Sequence, residues 1–128
     1  MPALNRVQLI GNLGRDPETR YTTSGKQVTS FSVAVAHRWR DSEGESKVRT
    51  EWFNVEAWGK LGEICQQYLS KGRLVFVEGS FRTDVVGEGE DRKYFTKVVA
   101  KQMQMLDRKP EEAETESLPE EEDEFPFD

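Results

Sequence analysis

Residues 50–60 read Thr50-Glu51-Trp52-Phe53-Asn54-Val55-Glu56-Ala57-Trp58-Gly59-Lys60, and their side chains alternate as they do in a half-buried β-strand. One face carries Phe53, Val55 and Ala57, which suits a core. The opposite face carries Trp52, Asn54, Glu56 and Trp58. Because the apolar face belongs inside, we expect both indoles to point away from the core.

Two large aromatic side chains on an outward strand face require an explanation. They suit a stacking platform for nucleic-acid bases, because base–aromatic stacking contributes roughly 1–3 kcal/mol per base and tolerates any sequence. They also suit a subunit interface, where Trp is enriched. This strand alone leaves both interpretations open.

The composition predicts one small, non-membrane domain. The chain has 128 residues and a single cysteine, Cys65, so neither a disulfide framework nor a multi-cysteine metal site is expected. No stretch approaches the ~20 apolar residues of a membrane span. Residues 1–6 lead directly into a strand-like segment, so we expect no signal or transit peptide and a cytoplasmic protein.

The net charge of -6 conceals two oppositely charged parts. Residues 110–128, the acidic tail, contain ten of the 24 acidic residues and no Lys or Arg. Residues 1–109 hold the other 14 and all 18 basic residues, a net charge of +4. The body is therefore expected to attract a polyanion, and the acidic tail to repel one and to be disordered.

The remaining pattern predicts an all-β barrel with one helix. Apolar residues recur at helical spacing from Leu61 to Leu69, followed by Gly72 as a candidate C-terminal cap. Strand patterns cover Leu4–Leu13, Val28–Trp39, Val48–Gly59, Arg73–Val86 and Arg92–Leu106. Five long strands with a helix between strands 3 and 4 fit the five-stranded Greek-key barrel of the OB-fold. That fold binds oligonucleotides on strands 2 and 3, and strand 3 carries Trp52 and Trp58.

Several motifs resemble those of bacterial single-stranded DNA-binding proteins, in order over residues 4–107. They include Asn5-Arg6-Val7-Gln8-Leu9-Ile10-Gly11-Asn12-Leu13-Gly14-Arg15-Asp16-Pro17, Trp39-Arg40-Asp41, Trp58-Gly59-Lys60-Leu61, Tyr68-Leu69-Ser70-Lys71-Gly72 and Met103-Gln104-Met105-Leu106. The resemblance implies an OB-fold domain over residues 1–108 and an interaction tail over 109–128. It further implies a homotetramer that coats single strands without sequence preference in replication, recombination and repair, associated with the nucleoid.

Carried over by position, the resemblance implies a set of DNA contacts. The implied stacking residues are Trp39, Trp52 and Trp58, and the implied phosphate contacts are Arg6, Lys60, Lys71 and Arg82. Trp39 shares the alternation phase of Phe31, Val33 and Val35, so its exposure would require a bulge or a strong twist. A stacking Trp of some members is absent near Val86, and Asp84 replaces a basic residue, so the hairpin between strands 4 and 5 is expected to contribute less.

The resemblance also assigns partner binding to the end of the acidic tail. The implied residues are Asp123, Glu124, Phe125, Pro126, Phe127 and Asp128, with acidic groups meeting a basic rim and Pro-Phe entering an apolar pocket. The family ordinarily ends at that Phe, whereas Asp128 follows it here.

No catalytic site, metal site or cofactor is predicted. His37 is the only histidine, and Cys65 lies on the apolar helix stripe without a candidate base. Two alternatives to the leading interpretation remain: a primosome-type accessory OB protein that acts mainly through proteins, and an enzyme on the same fold.

Overall fold

A computed structural model describes residues 2–107 of the chain. Met1 and residues 108–128, with the predicted partner-binding residues 123–128, lie outside the described residues. Along the chain the elements are β1 (Val7–Leu13), β2 (Glu18–Tyr21), β3 (Gln27–Arg40), β4 (Ser46–Trp58), α1 (Gly59–Tyr68), β5 (Leu74–Val86) and β6 (Lys93–Met105). A single 3₁₀ turn, Gly89–Asp91, lies between β5 and β6.

The strands form a closed barrel. Their order is β1-β5-β6-β4-β3-β2, and β1 also pairs with β3 through Asn12 opposite Ala34 and Leu13 opposite Val33. That second pairing closes five strands and leaves β2 attached only to the edge of β3. Every pairing is antiparallel except the short one between β4 and β6. The predicted OB-fold barrel is confirmed, and its helix α1 connects β4 to β5.

The sequence prediction missed β2. Its four residues, Glu18–Tyr21, pair with Gln27–Ser30 of β3 through a tight turn at residues 22–26. Three of the four are exposed and none belongs to the core, so no apolar alternation marks the segment. Its strand conformation comes from the free hydrogen-bonding edge of β3, which sequence alternation does not report.

The core lies inside the barrel beneath α1. It is built largely from alternate residues of the long strands, including Phe31, Val33, Val55, Ala57, Val75, Val77 and Val98, and from Cys65 and Leu69. Burial raises the pKa of the Cys65 thiol to about 12, which keeps it protonated. The predicted assignment of Val55 and Ala57 to the core and of Cys65 as a packed thiol is confirmed.

The helix ends differently from the sequence prediction. Its last residue is Tyr68, and Leu69 N–H donates to the Cys65 carbonyl at 3.0 Å. Gly72 therefore lies too far beyond the end of α1 to cap it, and the prediction that Gly72 is the C-terminal cap is wrong. Gly72 instead adopts φ +91° in the turn before β5, where its N–H donates to the Leu13 carbonyl at 2.9 Å. Glycine suits this position because positive φ is costly for other residues.

Candidate nucleic-acid interface

Trp52 lies on the outward face of β4, as predicted. Its side chain is 60% exposed, whereas Val55 and Ala57 on the other face are buried. The indole lies over the backbone of Gly14, where an added Cβ would come within 2.9 Å of Trp52 Cη2. The close approach of the backbone at Gly14, just after β1, therefore supports the ring on one side, and the ring remains largely exposed.

Trp58 lies on the same outward face of β4 but is half-buried. It lines an open groove of about 680 Å³ together with Lys26 and Arg82. Lys60, which is exposed, follows two residues later in the first turn of α1. The structure thus brings the indole of Trp58 and the guanidinium of Arg82, distant in sequence, to one groove.

Trp39 lies elsewhere. The β3–β4 register runs without a shift from Val28 opposite Trp58 to Arg40 opposite Ser46, so the bulge that was considered as one route to exposure of Trp39 is absent. By register Trp39 therefore points to the opposite face from Trp52. It is nevertheless 42% exposed, because β3 and β4 extend past the barrel as a two-stranded arm. On that arm the Trp39 ring stacks on His37, with centroids 5.6 Å apart and planes inclined by 21°.

The four predicted phosphate contacts fall into two classes. Lys60 and Lys71 are exposed, and neither takes part in an ion pair formed within residues 2–107. Arg6 pairs with Glu78 at 2.9 Å, and Arg82 pairs with Asp84 at 3.6 Å. A phosphate would meet the lysines directly but would compete with a carboxylate for each arginine.

A second groove was not anticipated from the sequence. It has a volume of about 450 Å³ and lies between the β5–β6 hairpin on one side and β2, β3 and β4 on the other. Arg15, Arg20, Val86 and Phe95 are exposed residues that line it. Arg20 was missed because β2 was missed, and Arg15 lies in the segment between β1 and β2. The sequence pattern could have identified Phe95. It lies on the same polar face of β6 as Lys93 and Lys97, just as Trp52 lies on the same face of β4 as Glu56.

An ion-pair network forms part of the lining of this groove. Lys97 Nζ lies 3.0 Å from Glu56 Oε2 and 2.7 Å from Asp84 Oδ2, and Arg20 Nη2 lies 3.5 Å from the same Glu56 oxygen. The hydrogen bond from Lys97 lowers the pKa of Asp84. Burial works to lower the pKa of Lys97, but its hydrogen bonds to Asp84 and Glu56 outweigh burial and raise it. Asp84 therefore stays ionised at neutral pH, and the charged Lys97 contacts the carboxylates of both Asp84 and Glu56.

Glu56 is buried, although the sequence pattern places it on the outward face of β4. It lies on the outward face of β4 yet is only 7% exposed, because the neighbouring strands and Lys97 cover it. Within residues 2–107 its Oε1 has no hydrogen-bond partner.

No group of three His, Cys, Asp or Glu residues within residues 2–107 is arranged to hold a metal ion. No helix in the same range is long and apolar enough to cross a membrane.

Comparison with known proteins identifies similar sequences. Residues 4–106 match the model of the single-strand binding protein family. The chain is 48% identical over 108 residues to single-stranded DNA-binding protein 1 of Chlorobaculum tepidum, covering 83% of this chain and 67% of that protein. It is 48% identical over 104 residues to a single-stranded DNA-binding protein of Xanthomonas campestris, covering 80% and 60%. The matched segment thus spans about two thirds of these relatives or less.

Solved structures share the fold. A Plasmodium falciparum SSB in complex with ssDNA superposes with a TM-score of 0.76 at 29% identity, covering 84% of this chain and 98% of that one. A deletion mutant of the single-stranded DNA-binding protein from Thermus aquaticus superposes with a TM-score of 0.72 at 29% identity, covering 81% and 51%.

Proposed function

This chain belongs to the single-strand binding protein family, and from that premise we propose that it binds single-stranded DNA without sequence preference. The observation that carries the proposal is the pair of tryptophans on the outward face of β4. Val55 and Ala57 fill the core beneath that strand, so the core does not account for the exposed indole of Trp52. The similar P. falciparum structure, a complex with ssDNA, supports the same ligand class.

Stacking and charge would act together in this binding. Each base stacked on an indole contributes roughly 1–3 kcal/mol and any base offers the same π-face, which accounts for sequence independence. Lys60 and Lys71 would neutralise phosphates directly. Arg6 and Arg82 would first exchange their bonds to Glu78 and Asp84, so their net contribution should be smaller.

We further propose the biological setting implied by family membership. The protein, which has no enzymatic role in this proposal, coats and protects single strands during replication, recombination and repair at the nucleoid in the cytoplasm. It acts as a homotetramer and recruits partner proteins through residues 123–128 of the acidic tail. Light scattering of the purified chain tests the tetramer, and a mass of one or two chains would refute it.

The function is tested by titrating the protein with oligo(dT), a mixed-sequence single strand and a duplex of equal length while following tryptophan fluorescence. Both single strands should quench the emission at similar concentrations, and the duplex should do so only at much higher ones. Absence of quenching and of any mobility shift with single strands would refute the proposal and favour an accessory protein. Conversion of the DNA to a product would favour an enzyme.

A further inference from the structure

We propose that His37 is a further DNA-contacting residue: its imidazole holds the ring of Trp39 and, when protonated, offers a cation to a neighbouring phosphate. Single-strand binding should therefore strengthen as the pH falls from 8 to 6. The inference rests on the proposed function, in which Trp39 is already a DNA contact. It gives a role to the only histidine of the chain.

The arm formed by β3 and β4 leaves His37 open to a ligand. Within residues 2–107, β3 pairs with no strand other than β4 beyond Ala34, because its pairing with β1 ends there. His37 is exposed, and Trp39, two residues further along the same strand, is 42% exposed. A single strand of DNA can therefore reach both side chains without any rearrangement of the barrel.

The two rings form one aromatic unit. Residues two apart on a strand lie on the same face, and the imidazole and indole centroids are 5.6 Å apart with planes inclined by 21°. This separation is within the range of offset-stacked aromatic pairs. Because the arm lies beyond the core, the stack on His37 limits the motion of the Trp39 ring. Protonation of the imidazole would strengthen the contact, since a cation is attracted to the face of an indole.

The charged side chains that face His37 across the arm all come from β4. In order away from the barrel they are Glu51, Arg49 and Lys47, opposite Val35, His37 and Trp39. Arg38 and Arg40, which alternate with His37 and Trp39 along β3, point to the other face of the arm. The charge available to a phosphate beside the stack therefore depends on Arg49, Lys47 and His37.

Both of these β4 cations already have carboxylate partners. The partners are Glu51 for Arg49, at 3.1 Å, and Glu45 and Asp41 for Lys47, at 3.5 and 3.8 Å. His37 belongs to none of the ion pairs formed within residues 2–107. A phosphate would meet a protonated imidazole directly, whereas it would compete with a carboxylate for Arg49 or Lys47.

The direction of the pH effect follows from linkage. Histidine is the side chain whose charge ordinarily changes between pH 5 and 8. A ligand that binds the protonated form more tightly promotes proton uptake, so its own affinity rises as the pH falls through that range. His37 is the only histidine, so a pH effect that disappears on its replacement can be assigned to it.

The experiment measures the Kd of the full chain for oligo(dT) at pH 8 and pH 6, because thymine keeps its charge over that range. The unsubstituted protein should bind roughly two- to tenfold more tightly at pH 6, as expected for one exposed charge interaction. Its log–log salt dependence should be steeper at pH 6 by up to about 0.7, the value for one phosphate. A change in slope reports a charge that meets DNA, which a purely structural role of His37 would not produce.

Two variants separate the ring of His37 from its charge. His37→Phe keeps a flat ring against Trp39 and cannot be protonated, so it should match the unsubstituted protein at pH 8 and lose the gain at pH 6. His37→Gln removes both ring and charge, so it should bind roughly two- to tenfold more weakly than His37→Phe at both pH values. That difference should vanish in a Trp39→Ala background, where no indole remains to be held. Thermal unfolding of every variant should be unchanged, because His37 is exposed.

The outcomes separate the two proposals. If the unsubstituted protein fails to bind oligo(dT) at both pH values, the proposed function fails. If it binds and His37→Phe shows the same gain at pH 6, the proton acts elsewhere, for instance on carboxylates of the acidic tail, and the inference is overturned. Equal affinities of His37→Gln and His37→Phe would also overturn it, since the imidazole would then not hold the Trp39 ring.

Discussion

Gly14 and Trp52 are in direct contact on the outer surface of the barrel, although 38 positions separate them: the indole occupies the space that a side chain at Gly14 would need. The added Cβ would also lie 3.1 Å from Ser32 Oγ, which limits its room to shift. Gly14 thus limits the positions that the Trp52 ring, a proposed DNA contact, can take.

We expect Gly14→Ala to weaken single-strand binding by displacing the Trp52 ring. A double-substitution cycle with Trp52→Ala measures this directly. Gly14→Ala should cost affinity in the unsubstituted protein and almost none in the Trp52→Ala background, where no ring remains to be displaced. Equal losses in both backgrounds would show that Gly14 affects binding by another route.

Trp52→Ala and Trp58→Ala should differ in their effects on folding. Each should cost roughly 1–3 kcal/mol of single-strand affinity. Trp52 is 60% exposed, so its removal should leave the melting temperature nearly unchanged. Trp58 is half-buried, so its removal should also lower the free energy of unfolding by about 1–2 kcal/mol. Calorimetry beside fluorescence titration checks both, and loss of stability in Trp52→Ala would identify that indole as a packing residue.

The salt dependence of binding should distinguish free cations from paired ones. Replacing Lys60 or Lys71 by Gln should flatten the log–log slope by about 0.7, the value for one phosphate on a single strand. Replacing Arg6 or Arg82 should change it less, because Glu78 and Asp84 already neutralise part of those charges. Titrations between 50 mM and 300 mM salt measure the four slopes. Equal changes in all four would mean that the ion pairs open completely on binding.

The acidic tail should compete with DNA for the basic body. Deleting residues 110–128 removes ten negative charges and should tighten single-strand binding at low salt. The gain should shrink as salt reaches about 0.15 M, where the Debye length is about 8 Å. Phe127→Ala is the matched control, because it keeps every charge. It should leave DNA affinity unchanged while abolishing partner binding in pull-down experiments, and partner binding retained in Phe127→Ala would refute the Pro-Phe anchor.

The ion pair of Arg73 with Asp107 should make stability depend on pH. Arg73 is 6% exposed, its Nε donates to Asp107 Oδ1 at 2.8 Å, and Leu74 N–H donates to Oδ2 at 3.1 Å. Burial works to raise the pKa of Asp107, but the hydrogen bonds from Arg73 and Leu74 outweigh it and lower the pKa from 3.8. The ion pair therefore stabilises the fold fully above pH 3.8, the ordinary pKa of the Asp107 carboxyl group. This stabilisation is lost as the pH falls below 3.8 and passes through the lowered pKa of Asp107.

Asp107→Asn should accordingly reduce the free energy of unfolding by about 1–2 kcal/mol at pH 7, a modest cost because the carboxylate is partly exposed. The difference from the unsubstituted protein should narrow as the pH falls below 3.8. Urea unfolding at pH 7, 5 and 3 provides the measurement, with Glu63→Gln on the exposed side of α1 as the control. A difference that stays constant down to pH 3 would exclude ionisation of Asp107 as its source.

Sequence alone determined which face of the strand around Trp52 is directed to the core, and it indicated the type of barrel. Alternation along β4 assigned Val55 and Ala57 to the core and Trp52 to the surface, because neighbouring side chains on a strand must point to opposite sides. The helical spacing from Leu61 to Leu69 located α1 for a similar local reason. The acidic tail and the basic body were equally evident, since charge composition needs no coordinates.

Only the tertiary structure decided which of these surfaces meet. Strand β2 exists because β3 offers it an edge. The groove lined by Phe95, Arg15 and Arg20 exists because closure of the barrel brings these residues together. Trp39 is exposed because the two-stranded arm of β3 and β4 continues past the barrel. The register of β1 against β5 determines which residue pairs with Arg6. Alternation reports the direction of a side chain relative to its own strand. The distance between strands far apart in sequence depends on pairing, twist and closure, which are properties of the whole barrel.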